Sequence, residues 1–223
     1  MLYAIKHKNR IVSGPLAWAQ KYFATVLKIR HRIDATIPGK APENMPFVID
    51  EDTSIHEVIK NEPEIDTMTQ AYHGPFWDMT EDVIVANYEV HDLEISSARN
   101  NFRAIAAFER YKKETSNVKV EIQGMEVTAD TSRDGRNIFL QKYTLMNEND
   151  IVNWKFPEAW LSLTKQELGF LVQAGAAHIQ AAFDWEKNIN DQIDAAQTAE
   201  ELHAIEIVEK QPKPFEEIND SNQ

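Results

Sequence analysis

Trp154-Lys155-Phe156, Leu161-Ser162-Leu163 and Thr164-Lys165-Gln166-Glu167 open a stretch that continues with helical periodicity to Val208, and its reading decides the fold. The quartet Thr164 to Glu167 fits a capping box. The threonine hydroxyl accepts from the backbone N–H three residues on, and the glutamate reaches back to the threonine N–H. Thr198-Ala199-Glu200-Glu201 fits the same pattern. Between them Leu168, Leu171, Val172, Gly175, Ile179, Ala182, Ile189 and Ile193 keep one helical stripe, flanked by Phe183 and Trp185. About thirty such residues span ~45 Å. That exceeds what a small domain needs to cover one hairpin, so the spacing predicts an arm whose outer half has to find a partner or form a coiled coil. The apolar repeat is not a strict heptad. Ala195-Ala196-Gln197 ends the long helix, and Thr198 to Val208 forms a short second one.

Upstream, Val118 to Ile122 alternates strictly and reads as a strand. It turns at Gln123-Gly124-Met125 and returns along Glu126 to Ala129. Ser96 or Ser97 caps a helix that runs to about Lys113, with Ala98, Phe102, Ile105, Ala106 and Glu109 on one stripe. Asp130 to Arg136 is a polar connection. Asn137 to Met146 admits a helix or a third strand, Asn147 to Asp150 is a turn, and Ile151 to Lys155 is a strand.

His91-Asp92-Leu93-Glu94 marks a boundary, and the region before it is rich in strand signals. Leu2 to Ile5 and Arg10 to Val12 form a hairpin around Lys6-His7-Lys8-Asn9, ended by Gly14-Pro15. Leu16 to Arg30 reads as a short helix. Pro38 to Pro46 is a loop, Phe47-Val48-Ile49 and His56 to Ile59 are strands, and Glu62-Pro63-Glu64 is a loop. Thr69 to Met79 and Asp82 to Val90 read as two antiparallel strands joined near Thr80-Glu81. Ile84, Ala86, Tyr88 and Val90 make the better apolar face of the second. Gly14-Pro15 before Trp18 resembles Gly74-Pro75 before Trp77, but two copies do not make an internal repeat. The predicted class is therefore α+β. Residues 1–92 form a β-rich docking domain, and residues 93–208 a helix, hairpin and long-helix domain. Residues 209–223 form a polar, acidic tail, held either by its own chain or by a partner.

A chain of 223 residues with 43% hydrophobic content builds a real core. A net charge of −13 argues against a partner with a phosphate backbone, which basic patches bind by releasing counterions. The richest basic cluster, Lys28-Ile29-Arg30-His31-Arg32, reads first as a solvated helix end. The absence of cysteine excludes disulfides, thiol nucleophiles and zinc–thiolate sites. Met1 to Lys6 lacks the plan of a signal peptide, and no apolar run approaches the ~18 residues of a membrane span.

Little in the sequence is placed for catalysis. The seven histidines, His7, His31, His56, His73, His91, His178 and His203, form no metal-ligand spacing. Asp130, Asp134 and Gly135 fail the calcium-loop pattern and lack its closing glutamate. Nucleophile elbows and phosphate-binding glycine loops are missing. Asp50-Glu51-Asp52 and Glu64 with Asp66 are read as acidic surface rather than an acid–base pair. No catalytic residue, metal or cofactor is assigned. Large aromatics are better candidates for partner contacts, because tryptophan and tyrosine dominate binding hot spots. The assigned partner interface is Phe76, Trp77, Phe183, Trp185, Ile189, Ile193 and Phe215.

The region from about Glu94 to Val208 resembles a domain of unknown function found at the C-terminal end of tail and tail-fibre-associated proteins of tailed bacteriophages. The pieces that carry the resemblance are the first helix, Val118 to Arg133, the isolated Trp154-Lys155, Leu163 to Leu168, and Ile193 to Leu202, in that order and spacing. Ile11 to Pro15 and Gly74 to Trp77 likewise look like phage tail protein N-termini. The family has no established catalytic residues. The resemblance implies a virion component near the baseplate or the fibre attachment site. It would be made in the host cytoplasm, present in several copies and possibly homo-oligomeric, with other tail proteins as partners and neither nucleic acid nor membrane. A tail-fibre assembly chaperone is the alternative. An enzyme acting on host polysaccharide is a third reading, resting only on carboxylates and aromatics.

Overall fold

Alternation in Leu2–His7 and Arg10–Leu16 builds the first two strands, β1 and β2, in the computed structural model, which describes residues 1–80 and 83–208. The tail 209–223, with its partner anchor Phe215, lies outside the described residues. The chain forms an α+β protein with two compact units, Met1–Leu93 and a second beginning at Glu94.

In the first unit, β1 pairs antiparallel with both β2 and β4 (Thr53–Asn61). The short β3 (Phe47–Val48) lies along the early half of the other edge of β4, and β6 (Ile84–Asp92) runs parallel along its late half. β5 (Gln70–Met79) closes the order β2-β1-β4-β6-β5. One face of β1 and early β4 puts Tyr3, Ile5 and Ile55 against Phe23, Val26 and Leu27. Those three come from α1 (Gln20–Val26) and the π-helical turn Leu27–His31 that continues it. The other face holds Ala4, Val58, Ile84 and Ala86 with Trp77.

The first hairpin forms as read, but Gly14-Pro15 does not end it. The pair sits inside β2 as a bulge opposite Ala4, and Leu16 is still in register with Tyr3, so the helix starts at Gln20 rather than Leu16. Gly74-Pro75 makes the corresponding bulge in β5. At both sites only glycine fits. Gly14 has φ +121°, and a Cβ there would lie 2.7 Å from the Ala4 Cβ; Gly74 has φ +135°, and a Cβ there would lie 2.9 Å from the Asn87 carbonyl oxygen. β2 and β5 are the two ends of that five-strand order, and the two-residue β3 is the remaining edge strand. A bulge carrying a proline, which has no N–H, breaks the ladder that another strand would extend.

In the second unit, α2 (Ile95–Glu114) starts one residue before the serines read as its cap. Its N-cap is Glu94, without a side-chain capping bond. The hairpin β7 (Val118–Ile122) and β8 (Met125–Ala129) matches the sequence reading. Its turn residues Gln123 and Gly124 have φ 54° and 76°, the twist that a two-residue hairpin turn requires. Asn137 to Met146 resolves as a helix: α3 (Arg133–Leu145) is capped by the Ser132 hydroxyl, which accepts from Gly135 N–H at 3.1 Å. Leu161-Ser162-Leu163 forms a strand, β10 (Trp160–Thr164), paired with β9 (Ile151–Lys155).

The Thr164–Glu167 capping box is present in both directions and starts α4 (Lys165–Ala195), 31 residues long. Such a cap contributes about 1 kcal/mol. The early half of α4 packs Leu168 and Leu171 into a core with Val120, Val127, Phe139 and Leu163. Burying each leucine contributes roughly 1.5–3 kcal/mol. The later half is not a free arm. α2 runs antiparallel along it: the Arg99 guanidinium donates to the Ala196 carbonyl at 2.7 Å, Arg110 to Glu186 at 3.0 Å, and His178 Nε2 lies 2.8 Å from the Lys113 carbonyl. The excess helix length thus finds its cover within the chain. α5 (Ala199–His203) is shorter than read. Thr198 caps it, but Glu201 accepts from Gln197 N–H rather than from Thr198, so the second box closes only one way.

Candidate interaction surfaces

Three of the carboxylates weighed as chemical groups, Asp50, Asp66 and Asp130, are engaged in shaping the backbone. Asp130 accepts from Ser132 N–H at 2.7 Å, and a Cβ on Gly135 would lie 2.5 Å from its carboxyl carbon. The polar loop read against the calcium pattern is therefore the entry turn of α3. Asp50 accepts from Asp52 N–H at 2.9 Å, and the Thr53 hydroxyl beside it lowers its pKa. Asp66 accepts from Met68 N–H at 3.0 Å. Among the described residues no group of three or more His, Asp or Glu is arranged to hold a metal.

Two histidines of the first unit are held away from their charged form. His56 is buried in β4, with Nε2 2.7 Å from the Ser54 hydroxyl. Burial first, and Lys6 second, lower its pKa. His31 meets His7 in a tilted ring contact, 4.6 Å between ring centres, and burial, then His7, Arg30 and Lys8, lower its pKa. The direction of linkage follows. The unfolded chain takes up these protons near the ordinary value of about 6.5, whereas the folded chain resists them until the pH is lower. Between those values the unfolded state binds more protons, so stability is fully present above about pH 6.5 and falls on acidification. Urea midpoints measured at about pH 7.5 and pH 5.5 should differ in that direction, and His56→Gln should reduce the difference. Equal midpoints in the wild-type chain would contradict it.

The strongest electrostatic feature of the second unit is a buried carboxylate. Glu114, at the end of α2, is only 3% exposed. It is held by Arg110 from its own helix and by Arg136 Nη2 of α3 at 2.9 Å, while Arg110 also donates to Glu186 of α4 at 3.0 Å. This network ties three helices together at one point.

Above it, α3 and α4 leave an apolar cleft of about 160 Å³ between Phe139, Leu140, Val172, Gly175 and Ile179, with Asp130 and Arg136 beside it. Gly175 lies on the apolar stripe of α4, and a Cβ there would meet nothing within 4 Å. The recess has room for one apolar side chain of a partner. Gly175 interrupting an otherwise bulky stripe was the signal for it in the sequence.

The assigned interface residues separate into classes. Phe76 is 42% exposed on β5. Trp77, on the opposite face of that strand, is half-buried against the second cluster of the unit. Phe183 is exposed, with the Arg110 guanidinium 4.8 Å from its ring centre, and Trp185 is half-buried, with Lys113 Nζ at 4.9 Å. Ile189 and Ile193 are buried within their own unit and present no surface to a partner. Sequence reasoning missed Ile59, which is 56% exposed on β4 and in register with Val85 of β6.

Residues 97–208, half of the chain, match a protein family described as a domain of unknown function, DUF4376, and the chain belongs to that family. No curated protein and no solved structure matches the chain.

Proposed function

We propose that this member of the DUF4376 family is a non-enzymatic structural adaptor of a bacteriophage tail, placed at the baseplate or at the fibre attachment site. Each unit docks on its own neighbour, and the neighbours are tail fibre or baseplate subunits and further copies of the chain. The carrying observation is the cleft between α3 and α4, a recess lined by Phe139, Leu140, Val172 and Ile179 beside helices that the Glu114 network ties together. An apolar recess suits an anchor side chain from another protein, the usual centre of a binding hot spot. The tail assignment itself rests on the sequence resemblance of Glu94 to Val208 and of the two Gly-Pro segments.

Mass spectrometry of purified virions tests it. The protein should be found in several copies per particle, and Gly175→Phe, which fills the recess, should lower its incorporation without lowering its abundance in lysate. Abundance in lysate with absence from virions would overturn the structural role in favour of an assembly chaperone.

A further inference from the structure

Charge in the first unit is segregated along the sequence. Lys6, Lys8, Arg10, Lys21, Lys28, Arg30 and Arg32 all precede residue 34, with no Asp or Glu among them; from Asp34 to Leu93 there are fourteen Asp and Glu against Lys40 and Lys60. The fold turns that segregation into two faces. The His7–His31 contact brings the β1–β2 turn, with Lys8, beside the π-helical turn, with Arg30. Lys21, Lys28, Arg30 and Arg32 are exposed around Ile29, itself 75% exposed. Of these cations only Lys28 has an acidic partner among the described residues, the exposed Asp34 at 3.7 Å.

The acidic counterpart lies on the far part of the sheet. The helix covers its face of the sheet over Tyr3, Ile5 and Ile55. Beyond that cover the same face continues along β4, β6 and β5 in two rows, Ile59-Val85-Asp78 and Asn61-Asn87-Phe76. Glu57 precedes Ile59 on this face and Glu89 follows Asn87, both exposed. Glu57, Asp78 and Glu89 make no ion pair among the described residues.

We propose that the basic, Ile29-centred surface of α1 and the π-helical turn that continues it, in one copy, docks on the acidic half-face around Ile59 and Phe76 of the next copy. The two surfaces carry opposite charge, and each has an exposed apolar centre. Edge-to-edge pairing of the sheets is obstructed by the Gly-Pro bulges in β2 and β5, which leaves face docking. The contact uses different surfaces on the two copies, so it builds a ring if the rotation closes and a row if it does not. The proposal rests on the reading of the first unit as a docking unit and not on the tail assignment. Its failure in solution would leave a virion result standing, and the reverse also holds.

Sedimentation velocity of the full chain tests it. At about 100 mM salt the screening length is about 10 Å, which suppresses the long-range repulsion between acidic chains but spares charges in contact. The wild-type chain should sediment as species larger than a monomer there and shift towards monomer at about 500 mM salt. The double variants Arg30→Glu/Arg32→Glu and Glu57→Lys/Asp78→Lys alter exposed residues only, and circular dichroism checks that they fold. Each alone should associate at least about tenfold more weakly, and mixing the two should restore association, because the reversed charges again meet opposite charges. A wild-type chain that is monomeric at both salt concentrations overturns the proposal. So does association indifferent to both variants, or a mixture that stays monomeric.

Discussion

Glu114→Gln should lower the unfolding free energy of the second unit by about 3 kcal/mol, the low end of the range for breaking a buried ion pair. The carboxylate is almost wholly enclosed and serves two guanidiniums at once. Glutamine keeps the shape but removes the charge, and its amide N–H groups turn donors towards donors. Leaving a buried cation without its counter-charge costs more than the intact pair contributes. Two features hold the effect to the low end. Arg110 keeps Glu186, and the Arg110 and Arg136 side chains remain 18% and 25% exposed, so each reaches some water. Urea denaturation monitored by far-UV circular dichroism measures the loss. Lys119→Ala is the internal comparison: Lys119 pairs with Glu126 on the open hairpin, with both side chains more than 60% exposed, where solvent screens the attraction and the pair contributes little. A Glu114→Gln loss no larger than that of Lys119→Ala would mean that the network does not clamp the three helices.

The same network shows where sequence reading stops. Arg110 and Glu114 are four residues apart on one helix, a spacing visible in the chain itself. Arg136 and Glu186 come from two other helices, and nothing in their local sequence announces the meeting. Locally closed structures were legible for the same reason. The Thr164–Glu167 box and the Val118 to Ala129 hairpin are complete within a dozen residues and form as read. Gly14-Pro15 misled because a turn and a strand bulge draw on the same chemistry, the permissive glycine and the donorless proline. Only the partner strand, with Ala4 opposite, decides between them. The long helix misled through cover rather than through its own form. Its length and start were right, but α2, which begins seventy residues earlier in the chain, lies along its later half. The uncovered half-face of the first sheet was invisible in turn, because exposure of Ile59 depends on where α1 stops.

Ile193→Ala should cost the second unit about 2–5 kcal/mol, the range for truncating a buried isoleucine to leave a cavity. Sequence periodicity placed Ile193 on the same arm as Phe183 and assigned both to a partner, yet the fold treats them oppositely. Ile193 is fully buried, and the residues just after it are fastened to α2: Asp194 pairs with Arg103, and the Ala196 carbonyl accepts from Arg99 at 2.7 Å. These anchors just beyond Ile193, with the Arg110 bond to Glu186 two turns before it, limit collapse around a missing side chain, which places the cost in the upper part of the range. The effect should reach α5. At five residues that helix is too short to persist without packing, and its Leu202 is itself fully buried. Amide exchange at Leu202 should therefore accelerate in Ile193→Ala along with the drop in urea midpoint. Phe183→Ala, with the residue 45% exposed and the Arg110 cation lying over its ring, should cost less, about 1 kcal/mol. If instead Ile193→Ala unfolds at the wild-type urea concentration while association with a partner is lost, Ile193 is an interface residue and the helix is an arm after all. If the order of the two variants is as stated, the later half of α4 is core, and partners must be sought at the α3–α4 cleft and on the open face of the first sheet.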